Sequence, residues 1–257
     1  MLTPPEIARS LLAAGESKAR LPLGKMLLLA ILAGAYIALA GVGATAAAVT
    51  VESGSLAKLL SACVFPAGLS MVILAGSELF TGNCLMVMAL LERRITPAQL
   101  LRNWLTVYLG NAVGGAAVAA LAVYSHTASL FGDGLARSMV SIAESKAALG
   151  AGDAFLSGVL CNFLVCLAVW MAAASKRAEG KVIALFFPIL LFVLCGYEHC
   201  IANLYYLPAG AFAAAEYGME TTLTLAGCLE NLAAVTLGNL VGGAALGVGY
   251  RFAYLKE

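Results

Sequence analysis

The segment Gly76-Ser77-Glu78-Leu79-Phe80-Thr81-Gly82-Asn83 returns in outline 120 residues later as Gly196-Tyr197-Glu198-His199-Cys200-Ile201-Ala202-Asn203. The shared frame is a glycine, a glutamate two positions on, and an asparagine five positions after that. A second frame follows each copy in the same order. Asn103 leads to Gly110-Asn111-Ala112-Val113-Gly114-Gly115, and Asn231 leads to Gly238-Asn239-Leu240-Val241-Gly242-Gly243, now offset by 128. Two ordered matches make the chain an internal repeat.

Each glutamate frame falls inside an apolar run. Glycine adopts backbone conformations that stop a helix, and a glutamate facing lipid would be expensive. Irregular backbone at membrane depth is tolerated where it is buried in protein or lines a cavity. The frames therefore predict two broken helices meeting near mid-membrane, with Glu78 and Glu198 turned inward. Half-helix N-termini carry N–H groups and a partial positive charge, which suits an anion. In the second frame the glycines let helices approach closely, and Asn111 and Asn239 can bond across them to brace the broken segments.

The surrounding chain fits a lipid environment. Of 257 residues, 62% are hydrophobic and 11% charged, where a soluble domain carries roughly a quarter charged. No charge occurs from Met26 to Val49 or from Trp104 to Tyr124, each close to the ~20 residues a helix needs to cross the bilayer. Six apolar regions can be marked: about 25–49, 56–91 and 182–215 (both interrupted), 104–124, 154–174 and 225–250. Polar connections lie at 50–55, 92–103, 125–153, 175–181 and 216–224. Six spans with a cytoplasmic N-terminus put twelve basic residues inside: Arg9, Lys18, Arg20, Lys25, Arg93, Arg94, Arg102, Lys176, Arg177, Lys181, Arg251 and Lys256. Only Lys58, Arg137 and Lys146 fall outside, as the positive-inside rule requires. Three spans per half force the second copy to insert upside down, giving an inverted-topology repeat with its site between the halves. Repeat one covers about 22–124 and repeat two about 154–252 of a single domain, 1–257. Residues 1–21 read as an amphipathic helix at the interface and not as a cleavable signal peptide.

The runs Glu78 to Asn83, Asn162-Phe163-Leu164-Val165-Cys166-Leu167-Ala168-Val169-Trp170 and Gly196 to Asn203 resemble the signatures of the formate/nitrite transporter family. The resemblance extends from about Pro4 to Lys256. It implies an all-α, aquaporin-like protomer of six spans with the second and fifth broken, one pore per protomer, and a homopentamer. It also implies transport of formate, nitrite, hydrosulfide or lactate, with or without a proton. His199 resembles the family's central pore histidine and Thr81 the threonine facing it. Lys146, 16 residues before Asn162, resembles the lysine at the outer mouth. Phe65 and Leu69 match a cytoplasmic constriction and Phe192 a periplasmic one. Glu198, Asn162, Asn203 and Asn239 resemble polar residues supporting the histidine. Gly82, Asn83 and Cys84 depart from the formate-channel pattern.

Residue chemistry agrees with that role. Histidine changes charge near neutrality, so His199 can donate a hydrogen bond to an anion or share a proton with it, and Thr81 can donate or accept beside it. Protonating a weak-acid anion removes most of the desolvation penalty of an apolar constriction. Lys146 would raise the anion concentration at the mouth. His126 reads as interfacial and without a role. The function expected is a passive or proton-coupled channel for small monovalent weak-acid anions. Formate comes first, and hydrosulfide and nitrite are the alternatives. The expected setting is a prokaryotic cytoplasmic membrane. A cation or ammonia channel would favour carboxylate rings or paired histidines. A membrane-bound enzyme would need His pairs or a Cys/His cluster. The seven cysteines sit singly in apolar runs with no C-x-x-C, so no metal or cofactor is expected, and a net charge of +1 gives no nucleic-acid footprint.

Overall fold

The computed structural model describes residues 1–255, so Lys256 of the basic set lies outside the described residues. Those residues form twelve α-helices and no strand. In order they are α1 (Pro4–Ala19), α2 (Leu23–Ala48), α3 (Gly54–Val64), α4 (Pro66–Ala75), α5 (Phe80–Asn83), α6 (Val87–Leu91) and α7 (Pro97–Tyr124). Then follow α8 (Gly134–Ala147), α9 (Ala151–Ala173), α10 (Ala178–Leu194), α11 (Cys200–Glu216) and α12 (Leu225–Tyr254). Five stretches are long and apolar enough to span a bilayer: α2, α3 with α4, α7, α9 and α12. Apolar side chains such as Leu105, Leu109, Leu121, Leu229 and Leu237 are exposed along them, which water would penalise and lipid welcomes. The chain is a multi-pass membrane protein.

The two glutamate frames interrupt helices as their glycines predict. Helix α4 ends on Gly76 (φ +79°, left-handed) and α10 ends just before Gly196 (φ +73°). The chain then runs extended through Leu79 and His199 before α5 and α11 begin. The glycines of the second frame serve packing. A Cβ on Gly114 or Gly34 would run into backbone of the facing helix at Ile31 or Asn111, and one on Gly242 or Gly238 into Val159 or Phe155. Backbone contact of this kind joins α2 to α7 and α9 to α12. It substitutes for the hydrophobic driving force that lipid does not supply.

One connection differs from the sequence-based expectation. The connection 125–153 contains the 14-residue helix α8. Leu135, Ala136, Met139, Val140 and Ala143 form its buried face, packed with Tyr205, Ala209 and Ala213 of α11. Its interspersed Arg137, Glu144 and Lys146 hide that period from a search for uncharged runs. Helix α1 turns its apolar side onto the bundle, where Ile7 and Ala8 pack with Met88 and Trp170, and the Leu2 amide donates to the Ala174 carbonyl at 2.8 Å.

Helix α8 is also tied to the loop between α11 and α12. The Glu144 carboxylate accepts from the Thr222 amide (2.7 Å) and the Thr221 hydroxyl (2.9 Å). These bonds, the amide first, hold its pKa below the ordinary 4.5. A depressed folded-state pKa means that the tie contributes fully above about pH 4.5 and fades as pH falls through the lowered value. Hydrogen exchange at Thr222, corrected for intrinsic rates, should stay slow down to that pH and quicken below it. Unchanged protection in Glu144→Ala would remove this account.

Candidate functional site

The site is assembled from the two broken segments. His199 caps α11, its Nδ1 accepting the Ala202 amide hydrogen at 3.1 Å. Its Nε2 lies 3.0 Å from Thr81 Oγ1, at the start of α5 in the other half. Both residues are buried, Thr81 completely. Because Nδ1 is an acceptor, the ring proton of neutral His199 sits on Nε2 and is donated to Thr81. The Thr81 hydroxyl hydrogen is then free to turn toward a third group. The Thr81 carbonyl is held in turn by Asn162 Nδ2 and Cys166 Sγ, each at 3.3 Å.

The two halves repeat their polar scaffolding bond for bond. Asn111 Oδ1 accepts from the Phe80 amide at 3.0 Å, and its Nδ2 donates to the carbonyls of Ala30 (2.7 Å) and Glu78 (2.9 Å). Asn239 Oδ1 accepts from the Cys200 amide at 2.9 Å, and its Nδ2 donates to Gly158 (2.8 Å) and Glu198 (2.9 Å). Asn83 donates to Glu78 (2.8 Å) and Asn103 (2.9 Å), while Asn203 donates to Glu198 and Asn231, both at 2.7 Å. Each glutamate also carries one lysine. Lys146 is 2.8 Å from Glu198 and Lys18 is 2.7 Å from Glu78.

This geometry amends three expectations. Lys146 is not a free charge at the mouth, since its ammonium is matched by Glu198. At the start of α11 two of the N–H groups are already taken, Cys200 by Asn239 and Ala202 by His199. Finally, Phe65 does not stand apart from Phe192. Their rings meet edge to face with centroids 5.7 Å apart, and both line a cavity of about 440 Å³ together with Lys58, Lys146, Glu198 and His199. Leu69 instead lines a second cavity of about 350 Å³ with Leu79, Lys18 and Glu78. Between the two lies a space of about 10 Å³ bounded by Phe65, Leu69, Leu79, Phe192 and His199. Phe65, Phe192, His199, Leu69 and Leu79 thus separate the two cavities, while Thr81 is completely buried and meets that boundary through His199.

Sequence reasoning missed Lys18, Lys58 and Leu79 as lining residues. Lys18 was legible, because it precedes Lys146 by the same 128 residues that separate Asn111 from Asn239. His126 lies away from the site in a left-handed turn at the end of α7. Among the described residues no group of three or more His, Cys, Asp or Glu could hold a metal ion.

The model of the family described as "Formate/nitrite transporter" matches residues 5–253. A "Probable formate transporter" of Methanothermobacter thermautotrophicus is 38% identical, with 99% of this chain and 98% of that protein covered. Two solved structures superpose closely. An "FNT family ion channel" gives a TM-score of 0.86 at 32% identity over 96% of this chain and 98% of that one. A "Pentameric formate channel with formate bound" gives 0.80 at 33% identity over 91% and 98%.

Proposed function

Since the chain belongs to the formate/nitrite transporter family, we propose that it conducts small weak-acid anions, formate foremost, through the path centred on His199 and Thr81. The observation that carries this is that His199, 3.0 Å from Thr81, lines the first cavity and bounds the narrow space that separates it from the second. The same reading takes the fold as six crossings, in two inverted three-helix repeats at about 22–124 and 154–252 of one domain. The fifth crossing is then built from α10 and α11 across their break. It takes the assembly as a homopentamer in a prokaryotic cytoplasmic membrane with the N-terminus and α1 at the cytoplasmic face. The relatives' formate transport, the pentameric relative and the basic-residue bias support these points.

An anion entering the Lys146 cavity sheds water as it passes Phe65 and Phe192. Hydrogen bonds from Thr81, itself polarised by the His199 Nε2–H, replace part of that water. Leu69 and Leu79 form the second constriction. Charging His199 would break its cap on Ala202 and put a cation against a helix N-terminus, an unfavourable place for one. The imidazole therefore works as a neutral donor: through Thr81 its Nε2–H holds the anion where a proton arriving from the acid side can join it.

Reconstitution in proteoliposomes tests the reading. Formate, nitrite, hydrosulfide and lactate are each set against a sodium or ammonium gradient, in the intact chain and in His199→Phe. Anion flux is expected, formate largest, and uptake stimulated by acid in the intact chain but not in His199→Phe. Cation flux without anion flux would sink the proposal.

A further inference from the structure

We propose that Lys58 is the uncompensated charge that gathers anions at the Lys146 mouth, making the two ends of the path unequal. The proposal rests on the transport reading above. The second cavity is electrically balanced, because Lys18 and Glu78, the charged side chains lining it, form an ion pair at 2.7 Å. Three charged side chains line the first cavity: Lys58, Lys146 and Glu198. Lys146 and Glu198 cancel at 2.8 Å, and the Lys146 ammonium also rests 5.4 Å from the Tyr206 ring centre. Among the described residues, Lys58 is in no ion pair within 4 Å. The cavity is left with a net charge of one.

The position of Lys58 suits collection. Lys58, Ser61 and Phe65 follow one another at helical spacing on α3 and its junction with α4, and all three line the cavity. The lysine thus stands one turn from a hydroxyl and two turns from the aromatic constriction. Its ammonium overhangs the second broken segment, 3.7 Å from where a Cβ on Gly196 would lie. Glu144 of α8 is engaged by Thr221 and Thr222, and Arg137 donates to the Gly132 carbonyl. Neither is among the residues lining this cavity. An anion entering the first cavity therefore meets one ammonium without a carboxylate partner before it must give up water, whereas the second cavity offers only the Lys18–Glu78 pair.

A unit charge roughly 7 Å away across water changes the local anion concentration about threefold at low ionic strength, and the effect disappears near 1 M, where the Debye length is ~3 Å. The test is single-channel recording of the full chain in planar bilayers with symmetric formate at about 10 mM and at about 1 M. At low salt the intact chain should rectify, anions entering from the Lys58 side carrying up to about threefold more current. Lys58→Gln should remove most of the rectification, Lys58→Arg should keep it, and all three should converge at high salt, with thermal midpoints alike. Equal rectification in Lys58→Gln and the intact chain at low salt would overturn this proposal alone. Absence of formate current in the intact chain would overturn the transport reading and this proposal with it.

Discussion

Replacing Asn239 with leucine should destabilise the protein by about 2–4 kcal/mol and abolish transport, although its side chain only braces backbone. Its amide holds the Cys200 N–H, the Glu198 carbonyl and the Gly158 carbonyl. Leucine fills similar space but bonds to none of them. The Cys200 amide and the Glu198 carbonyl lie at the break and would be left without a partner, at ~1–2 kcal/mol each, while the Gly158 carbonyl within α9 loses a second bond. With the start of α11 released, His199 loses the frame that aims its ring at Thr81. Asn111→Leu should behave alike, because it orphans the Phe80 amide and the Glu78 carbonyl and takes a second bond from the Ala30 carbonyl within α2. The informative contrast is Thr81→Val. Valine keeps the shape of threonine and leaves only the His199 Nε2–H unpaired, so the loss should stay at ~1–2 kcal/mol while formate flux falls about tenfold or more. Thermal unfolding in detergent alongside proteoliposome flux separates the two classes. An Asn239→Leu protein with a normal midpoint, or a Thr81→Val protein with normal flux, would refute the division between bracing and contact.

The sequence discloses this scaffold through spacing. A repeated glycine–glutamate–asparagine frame can be read as a break because glycine at φ +79° and +73° does what the pattern asks. The asparagines of the second frame are legible because nothing else explains a polar residue held in register between glycines on an apolar helix. Charge partners are harder to see. Lys18 and Lys146 lie 60 and 52 residues from their glutamates, on elements that read as surface. Only their common offset of 128 betrays them. The side of a constriction is harder still. Phe65 and Leu69 are one helical turn apart, yet Phe65 meets Phe192 while Leu69 faces the opposite cavity. A one-turn step along α3 and α4 crosses the narrowest point of the path, and no pattern in the sequence marks where that point falls.

The second large effect concerns the buried ion pair, where the cost of removal depends on which partner remains. Lys146→Met should destabilise the protein by ~3–5 kcal/mol, the penalty for leaving one charge of a buried pair uncompensated. Glu198 is 9% exposed, at the edge of the first cavity, with Asn203 its other partner. Glu198→Gln should be milder. Glutamine can still accept from Asn203, and the stranded Lys146, 15% exposed, can lean on the Tyr206 face or into the cavity. Combining Lys146→Met with Glu198→Gln should recover much of the loss, because no buried charge is then left unmatched, so the double-mutant cycle should show strong coupling. The mirror pair gives an internal check. Lys18 is 29% exposed against 15% for Lys146, which brings water closer to Glu78, so Lys18→Met should be less damaging than Lys146→Met. Detergent thermal midpoints of the intact chain and these four variants decide the matter. Additive losses in the double variant would mean that the two charges do not hold one another. Equal damage from Lys146→Met and Lys18→Met would mean that solvent access does not set the cost.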